Sequence, residues 1–293
     1  MRKLGSSLIA LFSAAAFAQA ASAADMPVKA PPPPAVVATG GFFWSLTGSY
    51  FLDDPNKDIF ISPNNGGGGG VNCCGSGLGD GWGTRGSIGY RWSSWDIAVA
   101  FEYAKMNRGD LNPSYSGSTL LHAPNGKYFV VDGEIGFTTM LGVAKARVFA
   151  GPRYVQWKMH DADQQTLPQF TFDVETSAIG PRVGVALSGP FTANIGWMAE
   201  GSVAWLFGDV EGTTGGLAAV QTLKVNRTIN NAEVRAGLEI LMASTGKFTL
   251  GYQAIFWKGA LPEFEYNGFS APLVGGRAET INHGPFARFS YGM

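Results

Sequence analysis

The sequence predicts an all-β chain, a transmembrane antiparallel up-and-down β-barrel of about ten strands, with eight or twelve as the neighbouring solutions. Three observations carry that prediction. The segment Trp82–Trp92 alternates with period two, placing Trp82, Thr84, Gly86, Ile88, Tyr90 and Trp92 on one face and Gly83, Arg85, Ser87, Gly89 and Arg91 on the other. At strand rise and barrel tilt the segment covers roughly 20–25 Å along a membrane normal, and its aromatic ends suit the two lipid–water interfaces. Second, 41 glycines and 20 phenylalanines with little charge and no sustained helical periodicity favour strands and turns. Third, no stretch beyond the N-terminal leader reaches the eighteen or so unbroken apolar residues of a spanning helix.

Residues 1–23 read as a cleavable signal peptide: Arg2 and Lys3, an apolar run from Leu8 to Phe17, and small residues at Ala21-Ser22-Ala23. The mature chain is thereby expected to leave the cytoplasm. Residues 24–40, with Pro31 to Pro34, favour an extended polyproline conformation and read as a periplasmic tether. Residues 41–293 are the expected barrel, long enough for one domain.

Within it, strand-like segments recur at 42–52, 82–92, 95–105, 127–138, 144–158, 172–187, 194–208, 229–242, 247–258 and 279–293. Their connections alternate in length. Those at 53–81, 106–126, 159–171, 209–228 and 259–278 are long and read as external loops, whereas 93–94, 139–143, 188–193 and 243–246 are short and read as periplasmic turns. An even strand number returns both ends to the periplasmic side. In the last strand Ala287, Phe289, Tyr291 and Met293 share the face opposite Arg288, Ser290 and Gly292. Outer-membrane barrels usually end on an aromatic residue. Met293 departs from that signal for the insertion machinery, which is nonetheless an expected partner, as is outer-membrane lipid.

Charge fixes the register. Ile97, Val99, Phe101 and Tyr103 oppose Asp96 and Glu102; Phe129, Val131, Ile135 and Phe137 oppose Asp132 and Glu134; Val234, Ala236, Leu238 and Ile240 oppose Glu233, Arg235 and Glu239. A one-residue slip would turn these charges into lipid, at about 2–4 kcal/mol for an arginine at the midplane. Projected around the barrel, Arg85, Arg91, Lys145, Arg147, Arg153, Arg182, Arg235 and Arg288 face inward with Asp96, Glu102, Asp132, Glu134, Glu200, Glu233 and Glu239. Such near balance implies paired charges and weak ion selectivity along a pore lining. Inward glycines at 83, 89, 136, 184, 196, 237 and 251 leave room for a passage, while a barrel of this size is narrow at best and can be filled by its own side chains. A soluble antiparallel sandwich would also alternate; the paired aromatic ends, the leader and the final strand favour the membrane.

Other chemistry is sparse. The formal charge of −1 and the lack of a basic patch exclude nucleic acid as a partner. Cys73 and Cys74 are adjacent and cannot staple distant segments. Asp53, Asp54, Asn56 and Asp58 lack the spacing of a calcium loop, and the glycine run after Asn64 lacks the lysine of a phosphate loop. No cofactor or metal is expected. Of three histidines, His122 falls in a long connection, His283 near the outer end of the last strand, and His160 beside Asp161 and Asp163 at the start of a loop, where an acid could orient it as a general base. No serine nucleophile motif accompanies it, and the expectation is not an enzyme.

The segments GPRVGVALSGP (Gly180 to Pro190) and AWLFGDV (Ala204 to Val210), with AGPRYVQW (Ala150 to Trp157) and LGYQAIFW (Leu250 to Trp257), resemble the Legionella-type major outer membrane protein family. The ADMPVKAPPPP start is similar to small outer-membrane porins of rhizobia-related bacteria. The resemblance implies a pore-forming barrel of the bacterial outer membrane, passing small hydrophilic solutes passively. The alternatives are a non-conducting structural or adhesive surface barrel and a rim hydrolase using His160.

Overall fold

A computed structural model describes residues 40–52, 60–61, 80–107, 125–163, 170–215, 220–242, 246–261, 263–265, 273–274 and 279–292. The signal peptide, the tether up to residue 39, residues 53–58, the glycine run, both cysteines, His122 and Met293 lie outside them. The strands are β1 (Gly41–Phe51), β2 (Phe60–Ile61), β3 (Gly81–Trp92), β4 (Trp95–Met106), β5 (Asn125–Leu141), β6 (Ala144–Asp163), β7 (Phe170–Pro190), β8 (Ile195–Gly215), β9 (Val220–Leu241), β10 (Gly246–Lys258), β11 (Glu263–Glu265), β12 (Leu273–Val274) and β13 (Glu279–Tyr291). Ten of them form one closed antiparallel barrel in the order β1-β13-β10-β9-β8-β7-β6-β5-β4-β3, and the short β2, β11 and β12 form a separate three-stranded sheet.

Closure is by β1, which pairs with β3 through Trp44↔Ile88 and with β13 through Trp44↔Tyr291. No edge is left to hydrogen-bond in lipid, the condition for a sheet to cross a bilayer. The periplasmic turns are as short as expected. Trp92 pairs with Trp95 across Ser93, which takes a left-handed φ of 55°, and Gly142 supplies the same conformation at 64° between β5 and β6.

Of two expected external loops, the described residues are strand. Residues 159–163, 170–171, 209–215 and 220–228 belong to β6 to β9, which run for 20 to 22 residues. The reason lies on the outer face. Along β8 it is apolar and exposed at Ile195, Val203, Trp205 and Phe207, then turns to Asp209, which accepts from Asn226 Nδ2 at 3.1 Å, and Glu211, which pairs with Lys224. The stretch from Ile195 to Phe207 covers roughly 25–30 Å of membrane normal, matching the hydrocarbon core. The change from Phe207 to Asp209 and Glu211 on the outer face puts the described strand ends beyond Phe207 outside that core. There the Lys158 ammonium bonds Glu175 at 3.0 Å and holds that carboxyl below its ordinary range.

The inner face inverts at the same height. Within the membrane it is polar: Thr47, Arg85, Glu102, Asp132, Arg153, Arg182, Glu233 and Arg235 are all buried. Above it a hydrophobic core fills the barrel, made by Phe51, Met106, Tyr128, Trp157, Met159, Leu206, Ile229, Ile255 and Trp257 among others. After β10 the chain turns at Gly259 (φ 82°) and lays Ala260 and Leu261 into that core, where Thr176 Oγ1 donates to the Ala260 carbonyl at 2.7 Å. The upper half is thus built like a soluble domain and the lower half like its inverse.

Candidate functional site

All fifteen charged residues projected inward by the alternation do point into the barrel, and all but Lys145 and Glu239 join one network of ion pairs. Arg153 is its centre. Its Nε and Nη2 donate to Asp132 at 2.7 and 2.8 Å, and its Nη1 to Asn231 and Glu233. Arg85 donates to Glu102 and Asp132, both at 2.9 Å, with Glu134 at 3.7 Å and Glu233 at 4.0 Å. Arg182 bonds Glu134 at 2.6 Å and has Asp132 at 3.4 Å. Arg235 reaches Glu102 at 3.1 Å, Glu200 at 3.3 Å and Glu233 at 3.4 Å, and its Nε donates to Gln253 at 3.1 Å. Each of these four guanidiniums has two or more carboxylates within 4 Å, so no charge of the layer is buried without a counter-charge beside it, as burial of charge demands.

On the outer side of this layer three rings close the section. Tyr128, Trp157 and Trp257 are sealed from solvent, with centroids 4.6, 5.7 and 5.6 Å apart around the triangle. The Tyr128 hydroxyl donates to Glu102 at 3.0 Å, tying rings to ions. On the periplasmic side the lumen opens into a vestibule of about 130 Å³, lined by Arg91, Lys145, Arg147, Glu239, Lys247 and Arg288 beneath Glu134 and Glu200. Here Arg147 bonds Asp96 and Glu134 at 2.6 and 3.0 Å, Arg91 reaches Asp96 at 3.4 Å, Lys247 reaches Glu239 at 3.3 Å and Arg288 reaches Glu200 at 3.4 Å.

The inward glycines do not leave the open room expected of them. A Cβ at Gly83 would lie 2.8 Å from the Phe51 ring, at Gly89 2.3 Å from Phe43, at Gly184 2.3 Å from Phe149 and at Gly251 2.7 Å from Phe286. At Gly136 it would lie 2.5 Å from Arg147. These glycines are seats for large side chains. Phe149 in turn carries Arg147 and Arg182 over its ring at 4.9 and 4.7 Å. The described conformation is therefore closed: across the middle of the barrel Arg153, Asp132, Trp157 and Trp257 have no appreciable exposure.

Sequence reasoning missed Lys247, although its alternation with Thr249, Gly251 and Gln253 opposite Leu250 and Tyr252 placed it inside. It also missed the inward rings, which the rule of polar inside and apolar outside hides. His160 lies in β6 rather than at the start of a loop, is exposed, and pairs with Asp173 across the β6–β7 ladder. It alternates with the inward Trp157 and Met159 and so faces away from the lumen. His283 contacts the Tyr252 hydroxyl at 2.6 Å.

The family described as Legionella pneumophila major outer membrane protein precursor matches residues 79–291. No curated protein matches the chain. Among solved structures, the outer membrane protease OmpT from Escherichia coli superposes with a TM-score of 0.52 at 11% identity, covering 87% of this chain and 97% of that one. The toluene transporter TbuX of Ralstonia pickettii gives 0.35 at 10% identity over 86% and 73%. The β domain of the Bordetella autotransporter BrkA gives 0.34 at 14% over 87% and 100%. At these identities the likeness to OmpT is one of fold.

Proposed function

Because the chain belongs to the Legionella pneumophila major outer membrane protein family, a family of bacterial outer-membrane barrels, we propose that it is a gated pore for small hydrophilic solutes, closed in the conformation described. The observation that carries this reading is the redundancy of the ionic layer. Arg85 and Arg182 each have four carboxylates within 4 Å. A guanidinium with ready alternatives can change partners without passing through an unpaired state, and unpaired buried charge is what makes such layers rigid. The vestibule brings water and solute to the periplasmic side of that layer, and the Tyr128, Trp157 and Trp257 rings are the barrier on the other. No bond-making chemistry enters this reading. Arg85, Arg91, Lys145, Arg147, Arg153, Arg182, Arg235 and Arg288, with Glu102, Asp132, Glu134, Glu200, Glu233 and Glu239, would line the opened path.

One observation favours a second reading, a non-conducting structural or adhesive barrel: the section is filled by ions and then by rings. Single-channel recording of the full chain refolded into a planar bilayer separates the two. The pore reading expects brief discrete steps in the wild type, lengthened in W157A/W257A and altered in selectivity by R182E. A folded, heat-modifiable wild type that gives no steps overturns it in favour of the structural barrel.

A further inference from the structure

We propose that the periplasmic vestibule is a binding site for a small oxyanion of the phosphate or carboxylate class. The inference stands apart from conduction, since a closed barrel would bind equally well. Its first support is the charge set around the cavity. Six cations line it, Arg85, Arg91, Lys145, Arg147, Lys247 and Arg288, against three carboxylates, Glu134, Glu200 and Glu239. Those carboxylates are committed. Glu134 is held by Arg147 and Arg182, Glu200 by Arg235 and Arg288, Glu239 by Lys247, and Asp96, sealed beneath, by Arg91 and Arg147.

Two donors remain over. Lys145 forms no ion pair among the described residues, and of the charges within its electrostatic reach Arg91 and Lys247 act more strongly than Asp96 and Glu239. Arg91 Nε is buried with no hydrogen-bond partner among them. These two come from β3 and β6, and Lys247 beside them from β10, so the cations are gathered across the lumen and not spread along one strand. Holding like charges together is unfavourable unless an anion sits between them, and guanidinium and ammonium donors form strong charge-assisted bonds to oxyanions.

The size also fits. At about 10–15 Å³ for each ordered water by the same measure, a cavity of about 130 Å³ accommodates a four-oxygen anion with part of its hydration. Partial exposure of Arg91, Lys247 and Arg288 keeps it reachable from the periplasmic mouth.

The test is calorimetric titration of the full chain, refolded in an uncharged maltoside detergent, with inorganic phosphate. Saturable binding is expected, weakened about tenfold in K145Q, which corresponds to one lost charge-assisted contact of about 1.4 kcal/mol, and further in K145Q/K247Q. It should be retained in K145R and unaffected in K224Q, whose lysine stands on the outer face above the membrane. Heat-modifiable migration confirms that each variant is folded. A parallel titration with short-chain phosphatidylglycerol tells a lipid headgroup from free anion: Lys145-dependent binding of the lipid alone keeps the oxyanion site and assigns its source. Absence of saturable binding of either ligand, or equal binding by the wild type and K145Q, overturns the proposal.

Discussion

Asp132→Asn is the sharpest probe of the ionic layer, because it removes one charge and almost no volume. The Asp132 carboxylate takes Arg153 Nε and Nη2 at 2.7 and 2.8 Å and Arg85 Nη2 at 2.9 Å, with Arg182 Nη1 at 3.4 Å, and it is 1% exposed. Hydrogen bonds to charged groups contribute about 1.5–3 kcal/mol each, and breaking a buried pair from one side costs about 3–5 kcal/mol. Three guanidiniums lose their shared partner while Glu102, Glu134 and Glu233 remain to take up part of the surplus. The expected loss is about 4 kcal/mol. Arg153→Met should cost less, about 3 kcal/mol, since Asp132 then keeps Arg85 and Arg182. The double variant should fall short of the sum by about 2 kcal/mol, the coupling of groups within one network. Urea unfolding of the barrel in lipid vesicles, followed by tryptophan fluorescence and by gel migration, measures all three. An Asp132→Asn barrel within 1 kcal/mol of the wild type, or a strictly additive cycle, would refute the view that this layer is dry and mutually dependent.

Further outcomes follow from the same structure. Gly184→Ala should cost about 1–3 kcal/mol by overpacking, because the new methyl would sit 2.3 Å from the Phe149 ring and 2.7 Å from the Gly201 carbonyl, whereas Gly86→Ala, with nothing within 4 Å, should be neutral or stabilising by up to about 1 kcal/mol; the same unfolding assay ranks them. Val203→Lys places a charge on the lipid face and should cost about 2–4 kcal/mol. Glu211→Lys on the same face of β8 should cost under about 1 kcal/mol, and equal losses in refolding yield and stability would move the membrane boundary away from Phe207.

Much of the barrel was legible because charge marks the lumen so plainly. Arg85 opposite Glu102 and Arg235 beside Glu200 are the residues that set the register, and their alternation with Ile88, Phe101 and Val234 is unbroken. What escaped the sequence lies where the rule reverses. At Met159-His160 and again at Val210-Glu211 the strand still alternates, but with the apolar side inward, so a reading that equates apolar with lipid breaks the strand there and leaves a loop. The inward glycines misled for a related reason. A missing side chain reads as space in one dimension, and only the neighbouring strand shows that a ring from Phe43, Phe149 or Phe286 occupies it.

The inversion of the inner face at the height of Phe207 also divides the molecule by heat capacity. The outer-half core of Trp157, Trp257, Leu206 and their neighbours is held by exclusion of water, a force that fades on cooling and carries a large heat-capacity change. The ionic half has no comparable apolar surface turned toward water; its opposing cost is the desolvation of charge, which shrinks as temperature rises. Warming from the cold therefore tightens the aromatic lid and the charged layer by two unrelated routes, and the curvature of the stability profile belongs to the half that stands outside the membrane.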